Sequence, residues 1–308
     1  MHRACDSISG NAPASAGGEP AAWDRELTVA KAAAGAAAEL VSAAYAGGTT
    51  VAWKTGDDPV TAADRGANSL ICERLRAAFP ADAICAEECP EQDSERAASR
   101  GGRCWFVDPL DGTREFIRKS GEFCVMVGLA VAGQPVLGVL IAPAWGRTFV
   151  GVVGQGAYEL TPAGERRALQ LRQAAPAPRA VLSRLHRNAQ VDGAAARLGI
   201  ADLRQCGSTG LKFLLVALGE VDLYLHTGPG PSLWDGCAPE AIARAAGAEV
   251  TDAAGRPLRY DTAHLPLDQG IIVGPAALVG RAVGALAAAD PTAAAAGGRD
   301  AAPPTGQP

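Results

Sequence analysis

No two of the eight cysteines (Cys5, Cys72, Cys85, Cys89, Cys104, Cys124, Cys206 and Cys237) stand at CxxC spacing, and only four histidines accompany them. That excludes a zinc-finger or zinc-ribbon pattern. Most of the cysteines sit in apolar segments and read as reduced, buried thiols of a cytoplasmic protein. Cys85 and Cys89, which flank Glu87-Glu88, are the pair expected to be open to oxidation. Residues 1–22 lack a basic start followed by an apolar core, so no signal peptide is expected, and no segment reads as a stable membrane insertion. Cationic excess is absent too. A net charge of −5 argues against a nucleic-acid polymer as partner. It leaves room for a small anionic substrate, because bound metal ions reverse the sign locally. No Ser, Cys or His stands in a recognisable nucleophile setting, and there is no internal repeat.

What is present is apolar mass and alternation. With 308 residues, 48% of them hydrophobic, the chain can bury one large core or two closely packed ones. Residues 1–22 and 289–308, rich in small residues and proline, are expected to be disordered tails. Residues 23–160 read as an α+β half. A helix over 24–46 starts at Asp24 as N-cap and ends at Gly47-Gly48, and a polar loop runs from Lys54 to Pro59. A second helix, capped by Thr61, carries Ala67, Ile71, Leu75 and Ala78 at helical spacing. Short strands near Ile84 and Phe106 precede apolar runs at 123–132, 135–145 and 148–159, which read as an antiparallel meander. A Pro- and Arg-rich connection, 161–179, opens the α/β half, 161–288. There, strands near 180–183, 203–206, 221–226 and 270–274 alternate with helices at 189–198, 209–219, 235–247 and 276–288.

The chemistry concentrates in Trp105-Phe106-Val107-Asp108-Pro109-Leu110-Asp111-Gly112-Thr113-Arg114-Glu115-Phe116. An apolar strand delivers Asp108 and Asp111, three residues apart, into a Gly-Thr turn. Carboxylates suit a hard divalent cation, and Leu110 offers a backbone carbonyl between them. Gly112 and Thr113 offer N–H groups at a helix start, where an anion sits well.

Two further stretches accompany this run: Cys85-Ala86-Glu87-Glu88 upstream and Trp234-Asp235-Gly236-Cys237-Ala238-Pro239-Glu240-Ala241-Ile242 downstream. The three together closely resemble the signature of the inositol monophosphatase superfamily of Mg²⁺-dependent, lithium-sensitive phosphatases, in detail most like its 3'(2'),5'-bisphosphate nucleotidase branch. The resemblance covers roughly residues 24–285. It implies an α+β / α/β fold, a layered α-β-α-β-α sandwich of the inositol monophosphatase/fructose-1,6-bisphosphatase type. It also implies metal roles: Glu87 bridging ions, Asp108 and Asp111 ligating, Leu110 ligating through its carbonyl, and Asp235 holding a further ion and touching substrate, for two to three Mg²⁺ in all. Such a gathering of carboxylates repels itself strongly unless cations fill it. Thr113, together with Asp64 in Pro59-Val60-Thr61-Ala62-Ala63-Asp64, matches the family's Thr-Asp pair beside the attacking water; with Glu87 they form the catalytic set. Alone, Asp64 reads as an ordinary carboxylate at a helix N-terminus.

The substrate signals are more local. The Gly112 and Thr113 amides are the expected phosphate receptor. Gly207-Ser208-Thr209-Gly210-Leu211-Lys212 opens an apolar helix. Its Ser208 and Lys212 can hold a second phosphate, as in the Gly-Ser-x-x-Lys segment the resemblance points to, or serve as a helix cap and a solvated lysine. Ser183-Arg184-Leu185-His186 resembles that branch's Ser-Arg-Ser-His stretch, which implies nucleotide contacts for Ser183 and His186. Gly236 departs from the Thr of many relatives, and the Gly/Pro-rich run 228–233 from their Gly-Pro-Thr. The expected activity is removal of the 3'-phosphate from adenosine 3',5'-bisphosphate, and from its sulfated form, in sulfur assimilation. An inositol monophosphatase or broad sugar phosphatase would share every metal residue. A non-catalytic metal- or phosphate-binding regulator would lack one, and none is lacking. Monomer and homodimer both stay open.

Overall fold

The computed structural model describes residues 22–53 and 59–289. The expected tails, but for Ala22 and Ala289, and the loop residues 54–58 lie outside the described residues. In chain order the elements are α1 (Asp24–Gly47), β1 (Val51–Trp53), β2 (Pro59–Thr61), α2 (Ala62–Ala78), β3 (Ala83–Ala86), α3 (Glu91–Ser99), β4 (Arg103–Asp111), α4 (Thr113–Ile117), β5 (Cys124–Val131), β6 (Gln134–Ala142), β7 (Arg147–Val152), β8 (Gly156–Leu160) and β9 (Arg166–Leu169). They continue with β10 (Arg179–Ser183), α5 (Ala189–Arg197), β11 (Asp202–Cys206), α6 (Thr209–Ala217), β12 (Leu223–His226), α7 (Leu233–Ala245), β13 (Glu249–Thr251), β14 (Ile271–Gly274) and α8 (Ala276–Ala289).

Alternation along the strands builds the layers. In β4, Trp105 and Val107 join a core with Ala30, Ala34, Ile71 and Leu75 of α1 and α2, whereas Cys104 and Phe106 join a core with Leu211 of α6 and Ala238 of α7. In β10, Val181 faces the α6/α7 core, while Ala180 and Leu182 face Val191, Ala194 and Leu278 of α5 and α8. The order is therefore α1/α2, a seven-stranded sheet, α6/α7, a five-stranded sheet, and α5/α8, which is the layered sandwich the resemblance implies. The first sheet runs β3-β4-β5-β6-β7-β8-β9, parallel only between β3 and β4; the second runs β11-β10-β12-β14-β13, with β10, β11 and β12 parallel.

A row of glycines seats α7. Gly128, Gly138 and Gly151 stand opposite one another on β5, β6 and β7. A Cβ at these positions would come within 2.6 Å of Ala238 N, 2.1 Å of Ala238 O and 2.5 Å of Ile242 Cα. Only bare backbone lets the helix lie so close to the sheet.

Three expectations change. Trp23, left-handed at φ 78°, precedes α1, and Asp24 is the first helical residue rather than its cap. The boundary at 160/161 cuts off β9, which pairs with β8 and so belongs to the first sheet. The third meander run is two strands, β7 and β8, and β13 adds an edge strand that no apolar run announced. By length and composition alone, α1 is long and apolar enough to cross a membrane. Here its buried alanines and Val41 pack on α2 and the first sheet.

Candidate active site

The end of β4 is shaped by its proline. Asp108 stands opposite Met126 and Asp111 opposite Cys124, so three steps on β4 match two on β5. Pro109 has no N–H to give the ladder, and the extra residue bulges. Leu110 N turns back to donate to Asp108 Oδ1 at 2.9 Å. Gly112 then takes φ 91°, where a Cβ would meet Glu122 O at 2.6 Å, and α4 begins. This positive φ and close approach leave no space for another residue type.

Asp64 reaches the same place from α2. Thr61 caps that helix, accepting from Ala63 N and Asp64 N, while Asp64 Oδ2 accepts from Thr61 N at 2.8 Å and Thr61 Oγ1 at 2.5 Å. The capping box leaves Asp64 Oδ1 for Thr113 Oγ1, 3.0 Å away; Thr113 Oγ1 also lies 3.1 Å from Leu110 O. Asp64 has no exposed surface, and burial raises its pKa against the opposing hydrogen bonds from Thr61 and Thr113.

Asp108, Asp111 and Asp235 each offer a carboxylate oxygen within 4.8 Å of the others. Asp235 is the third residue of α7 and accepts from Ser232 N at 2.6 Å. Burial and the Asp111 charge push Asp235 up to about 7. Burial raises Asp108 well above the ordinary carboxylate range, helped by repulsion from Glu87, Asp235 and Asp111. Asp108 Oδ2 is buried with no hydrogen-bond partner among the described residues. Hard oxygen donors, an orphaned buried carboxylate oxygen and mutual repulsion fit a divalent cation of the Mg²⁺ type. Glu87, whose N–H donates to Val107 O, lines the same cleft of about 470 Å³ together with Leu110, Gly112 and Thr113.

Asp111 is held differently. Ser208 Oγ donates to its Oδ2 at 2.5 Å, Gly210 N at 2.6 Å, and Thr209 N donates to Oδ1 at 3.1 Å. The N-terminus of α6 thus grips a carboxylate of the chain itself. Of the two readings of Ser208, the structure shows the helix cap: it is fully buried, accepts from Leu211 N and does not line the cleft. Lys212 does line it, but is not a solvated lysine: it is 1% exposed, with Nζ donating to the carbonyls of Ser208, Cys206 and Gly207. Burial lowers its pKa, against the attraction of Asp111 and Asp235.

The opposite wall comes from the C-terminal ends of β10 and β12, where ligands of parallel sheets gather. Ser183 Oγ accepts from His186 N at 3.1 Å, and both residues line the cleft. Arg184 straps this wall to the other, bonding Glu115 at 2.7 Å and Glu122 at 3.0 Å; Glu122 also accepts from Gly207 N. Two cleft residues went unread in the sequence: Tyr224 and His226. Their signal was a strand of period two ending in a histidine. His226 Nε2 lies 3.0 Å from Gly228 O, which can only accept, so that nitrogen carries the proton. Burial, then the Lys212 charge, lowers His226 to about 4, so the ring is neutral at pH 7. The thiol pair is also corrected. Cys85 is fully buried, while part-buried Cys89 Sγ accepts from Asn68 Nδ2, whose Oδ1 in turn accepts from Cys72 Sγ.

The chain matches the model of the inositol monophosphatase family over residues 23–290. It belongs to that family. It is 40% identical to the 3'(2'),5'-bisphosphate nucleotidase CysQ of Escherichia coli over 71% of this chain and 87% of that one. It is 34% identical to the 3'-phosphoadenosine 5'-phosphate phosphatase of Mycobacterium leprae over 65% and 72%. Among solved structures, CysQ from Bacteroides thetaiotaomicron superposes with a TM-score of 0.71 at 30% identity, covering 82% of this chain and 98% of that one. An inositol monophosphatase from Anabaena gives 0.68 at 26% identity, covering 87% and 97%.

Proposed function

We propose that this chain is a Mg²⁺-dependent 3'(2'),5'-bisphosphate nucleotidase that removes the 3'-phosphate of adenosine 3',5'-bisphosphate, and of its sulfated form, by direct attack of water. The observation that carries the reading is the Asp64–Thr113 hydrogen bond set beside the Asp108, Asp111 and Asp235 carboxylates. Glu87, Asp108, Asp111, Asp235 and the Leu110 carbonyl would hold two to three ions. When bound, these supply a water of lowered pKa, charge neutralisation of the phosphoryl oxygens and stabilisation of the leaving alkoxide.

The remaining work falls to side chains. Thr113 has one hydroxyl proton; giving it to Asp64 Oδ1 leaves an oxygen lone pair to orient and accept from the attacking water. The proton then passes through Thr113 Oγ1 to Asp64, whose raised pKa suits a base. The Gly112-Thr113 turn presents N–H groups to the phosphoryl oxygens. Ser183, His186, Lys212 and His226 line the region that takes the rest of the ester. Ser208 contributes by fixing Asp111. The names of the relatives CysQ and 3'-phosphoadenosine 5'-phosphate phosphatase support the nucleotide.

Phosphate release from adenosine 3',5'-bisphosphate and from inositol 1-phosphate, each with Mg²⁺ and with EDTA, tests the reading. Mg²⁺-dependent release that favours the nucleotide is expected. A preference for the inositol ester overturns the substrate and keeps the mechanism; equal rates in EDTA overturn the mechanism.

A further inference from the structure

Tyr260 is buried between two elements that carry metal-site carboxylates. Its ring packs edge to face on Phe106, with centroids 5.3 Å apart. Phe106 lies on β4 two residues before Asp108, on the same side of the strand. The Tyr260 hydroxyl donates to Glu240 Oε2 at 2.7 Å, on α7. A Cβ at Gly236, next to Asp235, would stand 2.7 Å from the same hydroxyl. Gly236 and Glu240 are one helical turn apart, so Tyr260 lies along one face of the first turns of α7. The backbone of Tyr260 is fixed as well, its N–H donating to Gly133 O at 3.2 Å.

We propose that Tyr260 is a positioning residue for the metal site: anchored by Glu240 and wedged between Phe106 and Gly236, it sets the separation of Asp108 and Asp235. It touches neither substrate nor the reacting atoms. Close packing at Gly236 makes the wedge stiff, because a hydroxyl already fills the space beside the ligand-bearing turn. The inference rests on the reading of these carboxylates as metal ligands and is independent of which ester is cleaved.

The test is Mn²⁺ binding to the metal-stripped full chain, followed by the loss of the free-ion electron paramagnetic resonance signal. Thermal unfolding of the stripped chain is recorded alongside. Y260F keeps the ring and removes the anchor; it is expected to raise the Mn²⁺ dissociation constant roughly 10-fold, the range seen when partners of metal ligands are lost. The KM for the ester at saturating Mg²⁺ is expected to stay put. E240A should match Y260F, the double variant should add little to either, and E240Q, whose amide oxygen still accepts, should bind like the parent. Variants that melt earlier yet bind Mn²⁺ like the parent would reduce Tyr260 to a packing role and overturn the proposal. So would E240Q as weak as E240A. If Y260F does not fold, the E240A and E240Q pair decides. Failure of the nucleotide reading would show in the parent's substrate preference and leave these titrations unchanged.

Discussion

The two aspartates at the end of β4 occupy opposite conditions. Asp111 is gripped by a serine hydroxyl and two amides of α6, all within 3.1 Å. Asp108, three residues earlier, keeps one buried oxygen with no partner among the described residues. A satisfied carboxylate is fixed in place; an orphaned one stores a demand that a cation meets. The site thus separates rigidity from affinity within one short loop. The same division runs across the cleft, where the β4 wall holds charge and the β10/β12 wall holds neutral or strapped groups.

The largest break in this arrangement is expected from Asp64. Replacing it with Asn keeps the shape and removes the base proposed above, and kcat should fall by roughly 100-fold or more. Threonine-to-valine exchange at Thr113 should cost about as much, with little further loss in the double variant, because the two act as one unit. Steady-state kinetics of the three proteins, with circular dichroism as a check on folding, decide this; additive losses would separate the pair.

The clamp on Asp111 should be next. Ser208→Ala leaves a buried charged acceptor short of one donor, a loss of about 1.5–3 kcal/mol. Denaturant unfolding of the metal-stripped protein should show it, and an unchanged midpoint would mean that the Thr209 and Gly210 amides suffice. On the opposite wall, His226→Leu removes a neutral ring without touching the carboxylates. It should raise KM for the nucleotide about 10-fold at unchanged kcat, and a fall in kcat alone would move His226 into the chemistry.

A smaller effect sharpens the charge contrast through pH. Folding raises Asp235 and Glu240 to about 7. Between the ordinary carboxylate range and pH 7 the folded, metal-free protein therefore holds protons that the unfolded chain releases. Its stability is full below that range and falls as pH rises through about 7. Bound cation offsets the Asp235 share, so unfolding curves with Mg²⁺ and with EDTA should lie further apart at pH 8 than at pH 5. The reverse order would contradict the assignment. The smallest test concerns thiols. Hydrogen bonding from Cys72 lowers Cys89 to about 6, against burial, whereas burial holds Cys85 and Cys104 above the ordinary thiol range. Iodoacetamide at neutral pH should mark Cys89 first among the described cysteines, as peptide mass mapping would reveal.

What could be read in the chain followed contact distance along it. The Asp108–Thr113 loop and the Thr61/Asp64 cap are local, so residue type and spacing announce them. The α+β and α/β halves were legible because period-two strands and helical stripes survive in the bare sequence, whereas their stacking into layers was implied only by the family resemblance. The grip of α6 on Asp111 spans nearly a hundred residues, and nothing in Gly207–Lys212 says whether its donors meet a substrate or a side chain. His226 reads as the end of an apolar strand until β10 lies beside it. Cys89 found Cys72 rather than Cys85 because strand β3 points Cys85 into the core. Edge strands β9 and β13 escaped because edges need less apolar pattern than centres.

The glycine row under α7 has one more consequence. Three facing positions with no side chain let the helix backbone lie against the sheet at Ala238 and Ile242. A methyl group at Gly138 would act as a shim. It would lift the middle of α7 and tilt its first turn, and Asp235 would leave its register with Asp108 before the core came apart. In such a variant, failure to hold the cation would precede failure to fold.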